Sequence, residues 1–180
     1  MRTVAEWLDA ARRHGSLGAA ALHWQAHERG EDPSVPLALM HGRLRVMRES
    51  AQAGLSPTLR SVSGMVGGQA ALLAQSPFAG RFGMAGRAGI YALSIAEYNA
   101  CMGKIVAAPT AGSCGILPGA LLAAQEEDGF SDDELVMALF AARRAAARPN
   151  AARRRAWLRR HSPSSMAALQ RRRRTPVPLR

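Results

Sequence analysis

A chain of 180 residues that is 48% hydrophobic but only 5% aromatic, with Ala and Gly abundant, can bury one sizeable core and suits closely packed helices better than a β-sandwich. Its net charge of +11 is uneven: residues 1–142 hold ten Arg, one Lys and all 13 acidic side chains, whereas residues 143–180 hold 13 Arg and no acid. The first 142 residues are therefore no basic nucleic-acid domain; with no run of about 18 apolar residues, no signal segment and two cysteines, a cytoplasmic protein that neither spans nor binds a membrane is expected.

The first three elements read as helices. Thr3 and Glu6 form a capping box ahead of Val4, Trp7, Leu8 and Ala11, which share one helical face. Gly15 and Ser16 end that helix and open a second, whose stripe of Leu17, Ala20, Ala21 and Trp24 runs to Gly30. Asp32-Pro33-Ser34 starts a third, with Met40, Leu44, Met47 and Ala51 on one face and its end at Gly54. His23 and His27 stand four apart, but no third ligand follows at metal spacing, so they are expected on a solvated face.

From Leu55 the texture changes. SVSGMVGGQ, residues 61–69, packs three glycines and two serines into nine positions and predicts an ordered loop. A short apolar piece (70–74) and a loop, QSPFAGRFG, precede a helix over 84–100, ending at Asn99, in which Ala and Gly allow close neighbours. PTAGSCGILPG, residues 109–119, predicts a second glycine-proline loop leading into an apolar run at 120–124 that Gly129 closes. Ser131 and Glu134 cap a last helix containing Leu135, Ala138 and Leu139. Lys104 lacks the preceding glycines of a phosphate loop, and Ser113 lacks the first glycine of a hydrolase elbow, since Ala111 stands there.

The string NACMGKIVAAPTAGSCGILPGALLAAQEE, residues 99–127, closely resembles the signature of the iron–sulfur-dependent L-serine dehydratase alpha chain. SVSGMVGG at 61–68 resembles that family's earlier serine-glycine loop, and TVAEWLDAA and SVPLALMHGRLRVMRESAQAGL resemble its leading helices. The likeness covers roughly residues 1–142, and it does not extend to the vitamin-B6-dependent serine dehydratases, whose fold and lysine chemistry differ. It implies an all-α catalytic domain and an L-serine ammonia-lyase reaction, in which water leaves by β-elimination and the enamine hydrolyses to pyruvate and ammonia. It also implies a [4Fe–4S] cluster whose open iron acts on the serine hydroxyl, and a beta portion, separate or fused.

The site residues expected on this basis are Ser61, Ser63, Gly64, Asn99, Thr110, Ala111, Gly112, Ser113 and Gly115, presenting backbone N–H groups and hydroxyls to the amino acid. The alternative is that these glycines only permit tight turns and close packing. Cys101 and Cys114 lie within this string without occupying the family's thiolate positions and are expected as small, half-buried thiols, so the chain is expected not to bind the cluster. At Arg143 family character stops inside a helix; beyond it an amphipathic helix could form over 151–160, but its apolar positions are too few to bury it. That Arg-rich segment is read as out-of-frame translation in preference to a tail without a role. The other reading is a small helical protein whose tail binds nucleic acid nonspecifically through phosphate contacts.

Overall fold

The computed structural model describes the backbone of residues 3–77, 79–108 and 113–160, and side chains as far as residue 146. Among the described residues there are seven α-helices and no strand, which is the all-α class expected: α1 Val4–His14, α2 Leu17–Arg29, α3 Ser34–Gly54, α4 Gln69–Gln75, α5 Gly83–Ala100, α6 Ile116–Asp128 and α7 Asp132–Arg160. No described helix is long and apolar enough to cross a membrane. Internal contacts divide the chain into Met1–Arg143 and Arg144–Arg180. The first unit holds the packed core and both glycine-rich loops.

The helix ends follow the local chemistry of the sequence. The Thr3 hydroxyl accepts from the Glu6 N–H at 3.1 Å, and Gly15 ends α1 in the left-handed region. Ser16 caps α2 by accepting from the Ala19 N–H at 3.0 Å, and Gly30 closes it, also left-handed. Asp32 Oδ1 accepts the Ser34 N–H at 2.9 Å, and hydrogen bonding from Ser34 holds the Asp32 carboxyl below its usual range. Ser131 and Glu134 form the full reciprocal box, Glu134 Oε2 accepting from the Ser131 N–H at 2.8 Å and Ser131 Oγ from the Glu134 N–H at 3.3 Å.

α3 is the central element. Met40, Leu44 and Met47 pack with Ala21 and Leu22 of α2, Ala108, and Leu135, Val136, Leu139 and Phe140 of α7. One turn further on, Ala51 meets Ile95 of α5 and Leu122 of α6 in a second cluster. The predicted stripe of α3 is thus one continuous buried seam shared by two clusters. Glycine lets helices touch around it: a Cβ on Gly54 would lie 2.1 Å from the Ser94 carbonyl oxygen.

Four expectations need correction. On α1 the stripe is largely uncovered, with Val4 and Leu8 about half exposed and Ala10 the buried residue, because the helix packs chiefly on α2. On α2, Ala20 and Ala21 of the expected stripe are buried, but the buried face extends to Gly18, Leu22, Gln25 and Ala26, leaving Leu17 exposed and Trp24 half-buried. α6 begins at Ile116, inside the expected loop, because Pro118 sits in the first turn, where a missing N–H leaves no intrahelical bond unmade. The helix conceivable over 151–160 is present as the end of α7, which runs to Arg160; Ala and Arg are both strong helix formers. A short 3₁₀ turn, Ala79–Phe82, also occupies the expected QSPFAGRFG loop.

Candidate functional site

The serine-glycine loop is an ordered turn held by its own hydroxyls. The Ser61 N–H donates to the Val66 carbonyl at 2.8 Å, the Val66 N–H donates to Ser61 Oγ at 3.1 Å, and the Gly64 N–H donates to the Ser61 carbonyl at 2.9 Å. Ser61 Oγ and Ser63 Oγ lie 3.2 Å apart, and Ser63 Oγ also accepts from the Met65 N–H at 3.4 Å. Arg60 folds back over the loop, its Nη1 donating to the carbonyls of Leu59 at 2.6 Å and of Pro57 and Gly67 at 3.1 Å. Gly67, at φ +133°, admits no other residue, since a Cβ there would lie 2.1 Å from the Leu59 oxygen.

α5 is the rail to which both loops attach. Glu97, 2% exposed, accepts from the Gln69 N–H through Oε1 at 3.1 Å and from the Ala70 N–H through Oε2 at 3.0 Å, joining the end of the serine-glycine loop and the start of α4 to α5. Cys101 Sγ points at the Val66 carbonyl at 4.0 Å. Exposed Asn99 lies in the last turn, its carbonyl accepting from the Met102 N–H at 3.1 Å. The helix then closes with Met102 in the left-handed conformation at φ +65° and the Gly103 N–H bonded back to the Tyr98 carbonyl at 2.8 Å.

The second loop is anchored upstream on the same helix. Gly115, at the N-cap of α6, sits so close to α5 that a Cβ would fall 2.5 Å from the Ala92 oxygen, and Gly119 faces the Ala88 oxygen at 2.6 Å. Ser113 Oγ donates to the Ala108 carbonyl. Thr110, Ala111 and Gly112 lie outside the described residues. Ala92 and Glu97 are separated by five residues, so the two anchors are about 7.5 Å apart along α5 and about 140° apart around it. An ion pair and a hydrogen bond join the two helices further on: Arg87 Nη2 meets Glu127 at 2.8 Å, and the Tyr91 hydroxyl donates to Glu126. Burial, first, and the Glu126 carboxylate beside it push the Tyr91 phenol up to about 12.

A cavity of about 450 Å³ adjoins the segment leading into the second loop, lined by Ile105, Val106, Ala107, Ala108 and Leu117 together with Met40, Met47, Leu139, Arg43 and Arg143. Arg143 donates to Gln25 Oε1, and burial together with the neighbouring Arg43 and Arg29 lowers its pKa. Among the described residues, none of the expected site residues lines this cavity. His23 and His27 are exposed, with the His23 ring stacked on His14 at 4.4 Å, and among the described residues no group of three His, Cys, Asp or Glu side chains could hold a metal ion. Cys114 is buried and Cys101 half-buried. Two thiols fall short of the three thiolates a cluster with one open iron requires, so the residues of this chain do not fit a [4Fe–4S] group. Sequence reasoning missed Glu97 and Arg60. The signal for Glu97 was available: it is the only acid between Glu49 and Glu126, set in a run of small and apolar residues.

Comparison with known proteins gives a consistent result. The serine dehydratase alpha chain family matches residues 23–149. The L-serine dehydratase alpha chain of Peptoniphilus asaccharolyticus is 64% identical over 39 residues, covering 22% of this chain and 13% of that protein. The probable L-serine dehydratase alpha chain of Bacillus subtilis (strain 168) is 39% identical over 92 residues, covering 49% of this chain and 30% of that protein. The matched stretches therefore span less than a third of either relative. No solved structure matches. A match over residues 23–149, more than half of the 180, makes this chain a member of the serine dehydratase alpha chain family.

Proposed function

We propose that this chain supplies the amino-acid-recognising part of an L-serine ammonia-lyase, in which L-serine loses water by β-elimination and the enamine hydrolyses to pyruvate and ammonia. The observation that carries the reading is the family match over residues 23–149, within which both family-like loops, 61–68 and 113–115, lie. The exposed Ser63 and the half-buried Ser61 offer hydroxyls that suit a carboxylate or a hydroxyl. In this reading Ser61, Ser63 and Gly64 receive the substrate from one side and Asn99, Thr110, Ala111, Gly112, Ser113 and Gly115 from the other. The chain's own groups bind and orient; no step is assigned to a cluster, for which the two cysteines are too few.

Large apolar side chains stand in solvent around both loops: Val62 is 97% exposed, Met65 80%, Met102 85% and Ile116 66%. Exposed apolar side chains at the loops suit a covering partner, which supports a beta portion, or another part of the enzyme, closing over the loops and excluding water. The nucleic-acid reading rests on the Arg-rich segment, whose side chains from residue 147 onward lie outside those described.

The test is an amide-resolved NMR titration of the isotope-labelled chain with L-serine, using D-serine as control. L-serine is expected to shift the amides of 61–68 and 113–115 and leave α1 and α2 unchanged. Equal responses to both enantiomers, or none at saturating millimolar L-serine, would overturn the proposal.

A further inference from the structure

Glu97 combines features that packing alone does not require. It is buried to 2% exposure, and both of its oxygens are engaged by backbone N–H groups, those of Gln69 and Ala70. A carboxylate in an apolar interior is costly unless hydrogen-bonded. Here the first turn of α4 provides the bonds, because its N–H groups have no intrahelical acceptor and its N-cap residue, Gly68, has no side chain to serve them. The carboxylate thus solves the problem of α4, and α4 solves the problem of the carboxylate.

The consequence is positional. Arg60 ties the serine-glycine loop only to itself, through the carbonyls of Pro57, Leu59 and Gly67. Glu97 makes two charge-assisted bonds from that segment to another element, alongside the weaker Cys101 Sγ contact to Val66. The helix carrying Glu97 is the one against which Gly115 and Gly119 pack, through Ala92 and Ala88. α5 therefore fixes the height of one loop through a carboxylate and of the other through a glycine seam. We infer that Glu97 is a positioning residue: it holds the serine-glycine loop in register with the Ser113–Gly115 turn so that both reach one amino-acid ligand. This rests on the reading under Proposed function for the identity of that ligand.

Amide hydrogen exchange on the 180-residue chain, with and without L-serine, tests it in the parent, E97Q and E97A. In E97A, exchange at Gln69, Ala70 and residues 61–68 is expected to rise about tenfold or more while α3 and α6 keep parental rates. Protection by L-serine should disappear from both loops. E97Q keeps one acceptor oxygen and should release only one of the two amides, with partial rescue of the serine response; where E97A fails to fold, this variant decides alone. Unchanged exchange at Gln69 and Ala70 would overturn the inference, as would equal acceleration throughout α3, α5 and α6, which marks an ordinary core residue. Serine protection of Ser113–Gly115 that survives in E97A would also overturn it. A parent chain indifferent to L-serine, with the localised exchange change present in E97A, sinks the substrate reading and leaves the anchoring by Glu97 standing.

Discussion

Replacing Gly119 by Ala probes the seam that fixes the second loop. In the interior of a helix Ala is favoured over Gly by about 1 kcal/mol, so propensity alone predicts stabilisation. The structure opposes it: a Cβ at 119 would lie 2.6 Å from the Ala88 oxygen and 2.9 Å from the Ala92 nitrogen. Both are backbone atoms of α5, which no rotamer change can clear, and ordinary contact requires α6 to withdraw by roughly 1 Å. Overpacking of this kind costs about 1–3 kcal/mol, with rigid obstacles at the upper end. The net expectation is a loss of about 2 kcal/mol, or a melting temperature lower by about 4–8 °C. Gly89 is the control on the facing helix: it is exposed, and nothing lies within 4 Å of its added Cβ. Gly89→Ala should gain about 0.5–1 kcal/mol and raise the melting temperature by about 2–4 °C. Thermal unfolding followed by far-ultraviolet circular dichroism measures both, and a Gly119→Ala chain as stable as Gly89→Ala would refute the close-packed seam.

Met102→Gly should stabilise by about 0.5–1 kcal/mol, seen as a higher urea midpoint, because Met102 holds φ +65° with its side chain 85% exposed, so little packing is lost. Alkaline titration followed by phenolate absorbance should show one tyrosine ionising at about 12, and Tyr91→Phe should remove that step. Since the folded pKa of Tyr91 exceeds the unfolded value of about 10, its contribution to stability is present below pH 10 and lost between about 10 and 12. Asp132 titrates the other way: hydrogen bonds from Arg48 and Gln125 hold its carboxyl low, so its contribution is present above about pH 4 and lost as pH falls through the folded value. Arg48→Met should cost less than about 1 kcal/mol at neutral pH, the pair being half exposed, and the difference from the parent should vanish in acid.

Local chemistry was readable where one residue decides one outcome. Caps at Thr3, Ser16 and Ser131, left-handed ends at Gly15, Gly30 and Gly129, and the buried stripe of α3 all follow from short-range rules. What was misread depends on partners distant in the chain. α1 has a correct helical stripe, yet a stripe says which face is apolar and nothing about what covers it. On α2 the buried face is set by Gly18, where the Met137 carbonyl would lie 2.3 Å from a Cβ, a long-range approach that periodicity does not encode. Glu97 is the sharpest case: a lone acid amid small and apolar residues marks the position as unusual, but its partners, the first N–H groups of α4, appear only once α4 packs on α5.

The glycines of the candidate site show how the structural and functional readings can be separated. Gly115 is required by the approach of Ala92, and Gly67 by its φ together with the Leu59 oxygen, so substitution at either disturbs the fold and reports little about a ligand. Gly64 differs: its φ of +73° asks for a left-handed residue, but nothing lies within 4 Å of an added Cβ. Asn tolerates that conformation better than other side chains, so Gly64→Asn should change stability by no more than about 1 kcal/mol while placing a side chain in the open space beside Ser61 and Ser63. If that space receives the amino acid, the response of residues 61–68 to L-serine should be lost with the melting temperature nearly unchanged. If Gly64 serves only the turn, the variant will respond to L-serine like the parent, and Gly64 leaves the candidate site.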